Sequence, residues 1–228
     1  VFPPPPPPTT AMLTGCGALV VATDANLTSV GDWFLKDLPG LTALDLTVVA
    51  HLTGVGNHFL ACCTGLKELV LPPHLTTVGE WFITNCAALT ALDLTPLAQL
   101  SSVGDGFLAG CPGLTSLDLS PLAHCTSLGR AFLDGCVGLK SLDLTPLARV
   151  TSVGHIFLTG CAGLTALDLT PLERLASVGM FFLRDCVGLT SLDLTSLALT
   201  DVGDYFVDGC VGLTTIEVSI MLVAPSTG

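Results

Sequence analysis

Residues 114–138, LTSLDLSPLAHCTSLGRAFLDGCVG, form the stretch that decides the fold. Its opening places Leu114, Leu117 and Leu119 at the spacing LxxLxL, and polar residues stand between and beside the last two leucines. Alternation with a period of two residues is typical of a strand with one face in the core and one in solvent. We therefore expect a short strand whose leucines are buried.

The second half of this stretch has a different period. Pro121 ends the strand because it has no amide hydrogen to donate, and beyond it Leu128, Phe132 and Cys136 recur every four residues. This spacing predicts turns or a short helix on the wall opposite the strand. Gly129 lies between the two walls, where we expect it to permit a bend with positive φ. Glycines at the same phase elsewhere are Gly31, Gly56, Gly79, Gly104, Gly154, Gly179 and Gly203.

The same unit recurs along the chain in steps of 22 to 25 residues. The leucines that open the units are Leu19, Leu41, Leu66, Leu89, Leu114, Leu139, Leu164, Leu189 and Leu213. A single unit cannot close its own core, so consecutive units must stack, and their strands are parallel because all units run the same way round. The sequence therefore predicts an α/β repeat fold. We expect a right-handed solenoid of leucine-rich repeats with about eight coils, one short parallel strand per coil, and turns or short helices on the opposite wall.

Stacking predicts two buried columns that run the length of the solenoid. The strand column consists of Leu44, Leu69, Leu92, Leu117, Leu142, Leu167, Leu192 and Ile216. The column on the opposite wall consists of Phe34, Phe59, Phe82, Phe107, Phe132, Phe157, Phe182 and Phe206.

The chain divides into a proline-rich segment, residues 1–12, and the solenoid, residues 13–228. The six prolines at residues 3–8 predict a stiff polyproline II spacer, or alternatively a ligand for a proline-reading domain. The chain begins with Val1 rather than Met and stops soon after a strand-like run, so we expect it to be a piece of a longer array. The last strand is mostly apolar and has no evident polar cap, which predicts end-to-end self-association.

Composition excludes several classes of function. Half of the residues are hydrophobic and 11% are charged, with a formal net charge of −12, which disfavours binding to nucleic acid or an anionic membrane surface. The longest apolar run, residues 220–225, is far shorter than the roughly 20 residues that cross a bilayer. We therefore expect neither nucleic-acid binding nor membrane insertion by this segment.

These units resemble the BspA-like, Treponema-type leucine-rich repeats, whose pattern is LxxIxIPxxVxxIGxxAFxxCxxL. Residues 66–89, LKELVLPPHLTTVGEWFITNCAAL, match that pattern almost column for column. The other units carry the variant LDLTPL, as in leucine-rich-repeat proteins of unicellular eukaryotes. The resemblance covers roughly residues 19–218 and implies the solenoid fold. It also implies a surface protein or adhesin, and hence a cell-surface or extracellular location.

Cysteines form one column of the repeat. Eight of the ten stand three residues before a repeat leucine: Cys16, Cys63, Cys86, Cys111, Cys136, Cys161, Cys186 and Cys210. Stacking in register holds their Cβ vectors parallel rather than convergent, so we expect buried thiols that fill space, not disulfides. No cysteine spacing fits a zinc site. Cys62 and Cys125 lie outside the column and are the predicted exposed thiols.

Carboxylates form a second column, at the outward position of the strand. Its members are Asp45, Asp93, Asp118, Asp143, Asp168, Asp193 and Glu217, and Val70 interrupts it. Neighbours about 5 Å apart should raise one another's pKa and favour a bound cation, with calcium as the candidate. The column is a solvated polar face, a divalent-ion site, or a docking stripe for a basic partner. The candidate ligand-binding residues are Asp93, Asp118, Asp143, Asp168 and Asp193, and the identity of any metal stays unknown.

No unit departs from the others to build a nucleophile, a base and an orienting acid, so we expect no enzyme and no obligatory cofactor. The sequence favours a non-enzymatic module for protein or macromolecular recognition, acting in adhesion or as a scaffold. The alternative is a passive spacer or wall that holds other domains apart.

Overall fold

The computed structural model describes residues 18–19 and 27–218. The predicted linker, residues 1–12, and Cys16 lie outside them. In this part the chain forms a solenoid of about eight coils, and every strand pair in it is parallel. The predicted leucine-rich-repeat solenoid is confirmed. Among the described residues, no helix has the length and apolar character needed to cross a membrane.

The predicted strands lie on one side of the coils, which we call the strand wall. They span Ala18–Leu19, Ala43–Asp45, Glu68–Val70, Ser191–Asp193 and Thr215–Glu217. In the four coils between, the equivalent segments have no regular strand pairing. Those four coils are the ones whose strand position is followed by Thr-Pro-Leu or Ser-Pro-Leu. The part of the strand wall without regular pairing therefore coincides with the Thr-Pro-Leu and Ser-Pro-Leu segments.

Each of these four Pro-containing segments forms one turn of 3₁₀ helix, and Thr47–Val49 forms the same turn without a proline. The 3₁₀ helices span Thr47–Val49, Thr95–Leu97, Ser120–Leu122, Thr145–Leu147 and Thr170–Leu172. Proline is tolerated in the first helical turn because the amide hydrogen that it lacks would have no partner there. Pro121 lies in such a turn, Ser120–Leu122, but the regular strand predicted before it, around Leu117 and Leu119, does not form.

A second parallel strand, which the sequence did not predict, occurs in each coil. These strands span Ser29–Val30, Gly54–Val55, Thr77–Val78, Ser102–Val103, Ser127–Leu128, Ser152–Val153, Ser177–Val178 and Asp201–Val202. Each has only two residues, so it is too short to show an alternating pattern.

The phenylalanine segments form the turn wall, defined by residues 130–136 and their equivalents in the other coils. They are turns, which is one of the two predicted alternatives. Every second residue has a left-handed backbone, as at Ala131, Leu133 and Gly135, where φ is 56°, 55° and 69°. Ala131 N–H donates to His155 O in the next coil, and Leu133 N–H donates to Phe107 O in the preceding coil. Bonds between coils thus hold a conformation that non-glycine residues adopt at a cost.

The column of Gly129 has a different role from the predicted one. Gly129 is not among the residues with positive φ. A Cβ atom there would lie 2.4 Å from the carbonyl carbon of Gly104 in the preceding coil, far inside contact distance. Gly56, Gly79, Gly154 and Gly203 meet the backbone of the preceding coil in the same way. Glycine is required because two coils touch there, and the prediction of a left-handed bend was wrong.

The strand column is buried as predicted in most coils, with relative exposures of 2–7% for Leu44, Leu69, Leu92, Leu142, Leu167 and Leu192. Two members depart from the prediction. Leu117 is half-buried, and Ile216 is 45% exposed because no described coil follows its own. The first repeat step also differs from the prediction. The predicted repeat places Leu19 level with Leu41, but in the structure Leu19 pairs with Leu44.

The phenylalanine column forms one continuous stack. Successive ring centroids from Phe34 to Phe206 are 5.1–6.2 Å apart, and neighbouring planes are within 14° of parallel. The six inner rings are at most 1% exposed, whereas Phe34 and Phe206 at the ends are half-buried. Each inner ring therefore packs against a ring above and a ring below.

Replacing one inner ring should leave a cavity that the rigid stack cannot fill. We expect Phe132→Ala to reduce the free energy of unfolding by about 3–5 kcal/mol, measured by urea unfolding. Val137→Ala, a change at a side chain that is 44% exposed, is the control and should cost far less. An unchanged melting temperature for Phe132→Ala would show that the ring is not part of the core.

Alanine in the column of Gly129 should destabilise the fold only where the backbone of the preceding coil lies at the position of the new Cβ. We expect Gly129→Ala to destabilise the chain by about 1–3 kcal/mol, because the backbone of Gly104 must move. Among the described residues, none has an atom within 4 Å of the position of a Cβ at Gly31, so Gly31→Ala should be neutral or slightly stabilising. Equal effects of the two substitutions would rule out the close-contact explanation.

Candidate functional site

The aspartates of the strand wall cap the turns that follow them. In six coils the aspartate Oδ1 accepts a hydrogen bond from the backbone N–H two residues later, at 2.8–2.9 Å. At Asp45 the hydroxyl of Thr47 also donates to the same oxygen, at 2.7 Å. This is the local bond by which aspartate stabilises a turn. The six aspartates are Asp45, Asp93, Asp118, Asp143, Asp168 and Asp193.

These donors reverse the predicted direction of the pKa shift. The hydroxyl of the Ser or Thr two residues later, followed by its backbone N–H, lowers the pKa of Asp93, Asp118 and Asp143 below the ordinary 3.8. The same two donors lower the pKa of Asp45 and Asp193. The charge of Asp118 raises the pKa of Asp93 and Asp143, but this is the smallest contribution at both. The predicted net rise in the pKa of these carboxylates was therefore wrong, because the local donors outweigh the like charges.

The capped carboxylates remain exposed and form a row on the strand wall. Asp93, Asp118, Asp143, Asp168 and Asp193 are all solvent-exposed, in consecutive coils whose strands are about 5 Å apart. Their neighbours on the wall are mostly Ala, Ser and Thr, with Lys67 and Lys140 as the only basic residues within the strand segments. Within residues 18–19 and 27–218, no three His, Cys, Asp or Glu side chains come together as a metal site.

The cysteine column is buried as predicted, and its thiols also make hydrogen bonds. Seven Sγ atoms, from Cys63 to Cys210, donate to a main-chain carbonyl of the preceding coil at 2.9–3.3 Å. Each acceptor is the residue with positive φ just after the stacked phenylalanine, such as Leu108 for Cys136. Burial raises the pKa of Cys136 and of Cys186 to about 12. These protonated thiols are structural donors, not nucleophiles.

The two cysteines outside the column behave differently from each other. Cys62 is half-buried on the turn wall, but Cys125 is fully buried, so the prediction of an exposed thiol at Cys125 was wrong. Cys125 occupies a core position that is Leu100 and Val150 in the neighbouring coils. Burial raises the pKa of Cys125 to about 11. All cysteines among the described residues are free.

Aromatic residues on the turn wall form two clusters that the sequence reasoning missed. Trp33 stacks on His58 with centroids 3.9 Å apart, and His58 stacks in turn on Trp81 at 6.2 Å. At the far end, Phe181 stacks on Tyr205 at 5.0 Å. Each of these residues stands directly before a stacked phenylalanine, so a reading of that column would have found them.

Both clusters combine exposed rings with a cation. Trp33 is 53% exposed with Lys36 Nζ 4.3 Å from the centre of its ring, and Tyr205 is 57% exposed beside Phe181 and Arg184. Trp, Tyr and Arg are the residue types that contribute most to protein recognition. The turn wall therefore carries exposed rings beside cationic side chains, a combination that is absent from the row of carboxylates on the strand wall.

A cavity of about 500 Å³ opens beside the second strands of the last coils, and Ser177, His155, Asp201 and Asp204 are among its lining residues. Its residue types suggest a hydrolytic triad, but their geometry does not form one. His155 Nδ1 accepts a hydrogen bond from Met180 N–H at 2.8 Å. This nitrogen therefore carries no hydrogen to donate to a carboxylate, as Nδ1 of a triad histidine does. Among the described residues, no hydrogen bond joins Ser177 to His155.

Comparison with known proteins points to one family. The profile of a family described as BspA type Leucine rich repeat region (6 copies) matches residues 28–165 and 101–223. A leucine-rich repeat protein from Bacteroides ovatus is 12% identical, with 86% of this chain and 76% of that chain covered and a TM-score of 0.41. The T. pallidum leucine-rich repeat protein is 17% identical, covering 88% and 67%, with a TM-score of 0.32. A leucine rich cell surface protein from Faecalibacterium prausnitzii is 14% identical, covering 89% and 87%, with a TM-score of 0.32. The search of curated proteins found no match.

Acid should weaken the capped row. Because the pKa of Asp93, Asp118 and Asp143 is lowered in the folded chain, the folded state binds fewer protons than the unfolded state near pH 3.8. The contribution of the caps is therefore fully present above about pH 4 and is lost as the pH falls through the folded-state pKa. We expect urea unfolding at a series of pH values to show this loss.

A variant in which these three aspartates are replaced by Asn should lose less stability in acid. The amide oxygen of Asn accepts the same backbone N–H at every pH, so the cap persists. Glu173→Gln, a change at an exposed carboxylate outside the row, is the control and should follow the parent. Identical pH profiles for the parent and the triple variant would contradict the capping role.

Proposed function

The chain belongs to the BspA-type leucine-rich-repeat family, and on that premise we propose that it is a non-enzymatic recognition module whose strand wall binds a basic protein surface. The observation that supports this proposal is a row of exposed carboxylates in five consecutive coils, formed by Asp93, Asp118, Asp143, Asp168 and Asp193. Of the readings that the sequence left open, this one makes use of the whole row.

The row is held in place before any partner arrives. One oxygen of each carboxylate accepts the backbone N–H of the following turn, which fixes the side chain and directs its second oxygen away from that bond. Binding therefore costs little side-chain ordering on this side of the interface. The lowered pKa of Asp118 and Asp143 keeps these carboxylates charged at neutral pH.

Charge supports a basic partner. The formal net charge of −12 attracts cations at long range, and such fields increase the rate of association more than the affinity. Each exposed ion pair contributes little by itself. Affinity therefore comes from several carboxylates engaged together by one partner whose basic groups match the repeat of the coils.

We place this activity at a cell surface or outside the cell, in adhesion or scaffolding. This placement rests on the resemblance of the repeats to BspA-like proteins. Calcium is a competitor for the same carboxylates in this proposal, not a required cofactor, because among the described residues the row is not joined by a third ligand group.

An oligolysine peptide should bind the chain and respond to salt. We expect binding, measured by fluorescence anisotropy of a labelled peptide, to weaken steeply as ionic strength rises. The variant with Asp93→Asn, Asp118→Asn and Asp143→Asn should bind at least roughly ten-fold more weakly, while its melting temperature at neutral pH stays close to the parent's. Glu173→Gln serves again as the control for loss of one exposed charge.

Equal binding by the parent and the triple variant would place the interaction elsewhere than on the strand wall. Absence of binding at low salt would favour the alternative role, a passive spacer. A calcium titration against sodium chloride of matched ionic strength separates ion binding from screening, since only a bound ion displaces the peptide beyond the sodium control.

A further inference from the structure

The residue after each glycine of the Gly129 column forms a row at the start of the turn wall, which we call the corner row. Its members are Asp32, Asn57, Glu80, Asp105, Arg130, His155, Met180 and Asp204. Four of their side chains accept a hydrogen bond from the backbone N–H of the row member in the next coil, at 2.7–2.8 Å. These acceptors are Asp32, Asn57, Asp105 and His155. The corner row therefore joins consecutive coils through side chains.

The bond to His155 differs from the other three because it requires a neutral ring. A backbone N–H can only donate, so Nδ1 of His155 is the acceptor, and the single hydrogen of the ring is on Nε2. A protonated imidazole has a hydrogen on both nitrogens and accepts no hydrogen bond. Histidine changes charge near neutral pH, whereas a carboxylate or an amide oxygen remains an acceptor there. Of the four bonds, this one alone depends on proton uptake near neutral pH.

The ring of His155 is packed against the next coil. A Cβ at Gly179 would lie 2.7 Å from Nδ1 of the ring, so the absence of a side chain at Gly179 makes room for it. A hydrogen added to Nδ1 would point at the N–H of Met180, and two donors would then face each other. The charged ring must therefore leave this position, and the bond between the coils is lost.

We propose that His155 is a pH-sensitive latch between its own coil and the coil of Met180. The latch is closed while the ring is neutral, and mild acid opens it by charging the ring. The residues of the latch belong to the turn wall and not to the row of aspartates on the strand wall. The latch is therefore a property separate from the proposed binding of a basic partner.

Three charged side chains around the ring act on the latch. Arg130 occupies the same place in the preceding coil, and its positive charge disfavours a second one beside it. Asp201 and Asp204 line the same cavity as His155, and their negative charges favour the charged ring. The cavity thus offers the ring two partners of opposite charge when it leaves Met180.

The direction of the pH effect follows from the neutral state of the bonded ring. A bond that only the neutral ring can make stabilises the fold where the ring is neutral and is lost where it is charged. The latch is therefore closed at about pH 7.5 and open at roughly pH 5.5, the interval in which histidine side chains take up a proton. The aspartate caps are lost only below about pH 4, so the two responses to acid are separate.

The test is hydrogen exchange of individual backbone amides in the whole chain, followed by NMR at about pH 7.5 and at about pH 5.5. Each measured rate is divided by the intrinsic rate of an exposed amide at the same pH. We expect the protection of the Met180 amide to fall about five-fold at the lower pH, the factor that one hydrogen bond contributes. The amide of Glu80, which donates to Asn57, is the internal control and should keep its protection.

The chain supplies a matched control for a variant of His155. Asn57 makes the same bond at the same place in the repeat through an amide oxygen, so His155→Asn should keep the bond at both pH values. His155→Ala removes the acceptor and should give low protection of the Met180 amide at both. His74→Asn, a change at an exposed histidine outside the corner row, should respond as the parent does. Circular dichroism confirms that each variant is folded.

Three results would overturn the proposal. One is equal protection of the Met180 amide in the parent at the two pH values. Another is a loss of protection in His155→Asn as large as in the parent, which would place the titrating group elsewhere. The third is protection in His155→Ala equal to that of the parent at the higher pH, which would show that the bond does not hold the junction. None of these measurements involves the oligolysine peptide, so this proposal and the proposed function fail independently.

Discussion

The close contact between consecutive coils is the constraint on which the rest of this structure depends. Parallel strands hold the coils about 5 Å apart, and every column of the repeat is a response to that distance. Gly129 lacks a side chain because the backbone of Gly104 lies where a Cβ would be. The ring of Phe132 lies nearly parallel to the rings of Phe107 and Phe157, each 5.8 Å away in the coils on either side. One distance therefore selects both the smallest and the bulkiest residues of the coil.

The same contact makes the turn wall workable. Three residues per coil have a left-handed backbone there, including leucines that gain nothing from it locally. Their amides and carbonyls bond to the coils above and below, as Leu133 does to Phe107, and the thiol of Cys161 donates to the carbonyl of Leu133. The cysteine column is therefore part of the hydrogen bonding between coils. A purely apolar side chain of similar size would fill the space but leave that bond unmade.

Much of this could be predicted from the sequence, because stacking repeats each residue's environment many times. The alternation around Leu142 and the recurrence of Phe157 were enough to identify the strand wall and the buried ring column. What the pattern could not show was contact between coils. Gly129 is required by a neighbouring backbone, and Cys125 is buried although its place in the repeat had seemed external, since both depend on distances in space.

The candidate site illustrates the same limit. The row from Asp93 to Asp193 was visible in the sequence, but the direction of the pKa shifts of Asp93, Asp118 and Asp143 was not. The predicted sign assumed that charges about 5 Å apart act more strongly than local bonds. Those charges face one another across solvent, which weakens their repulsion, whereas the donors two residues away touch the carboxylate itself. A capping bond can be recognised from the Asp-x-Ser/Thr spacing, so this part was available from sequence and was overlooked.

Stacking also determines where function can be located on such a chain. The leucine, phenylalanine, cysteine and glycine columns are all committed to contacts between coils, so none of them is free to meet a partner. What remains is the second oxygen of each capped aspartate and the exposed rings of the turn wall. The first of these recurs in six coils, and its contribution to binding grows with the number of coils that a partner spans. The aromatic clusters occupy only some of the described coils, so they gain less from repetition than the aspartates do.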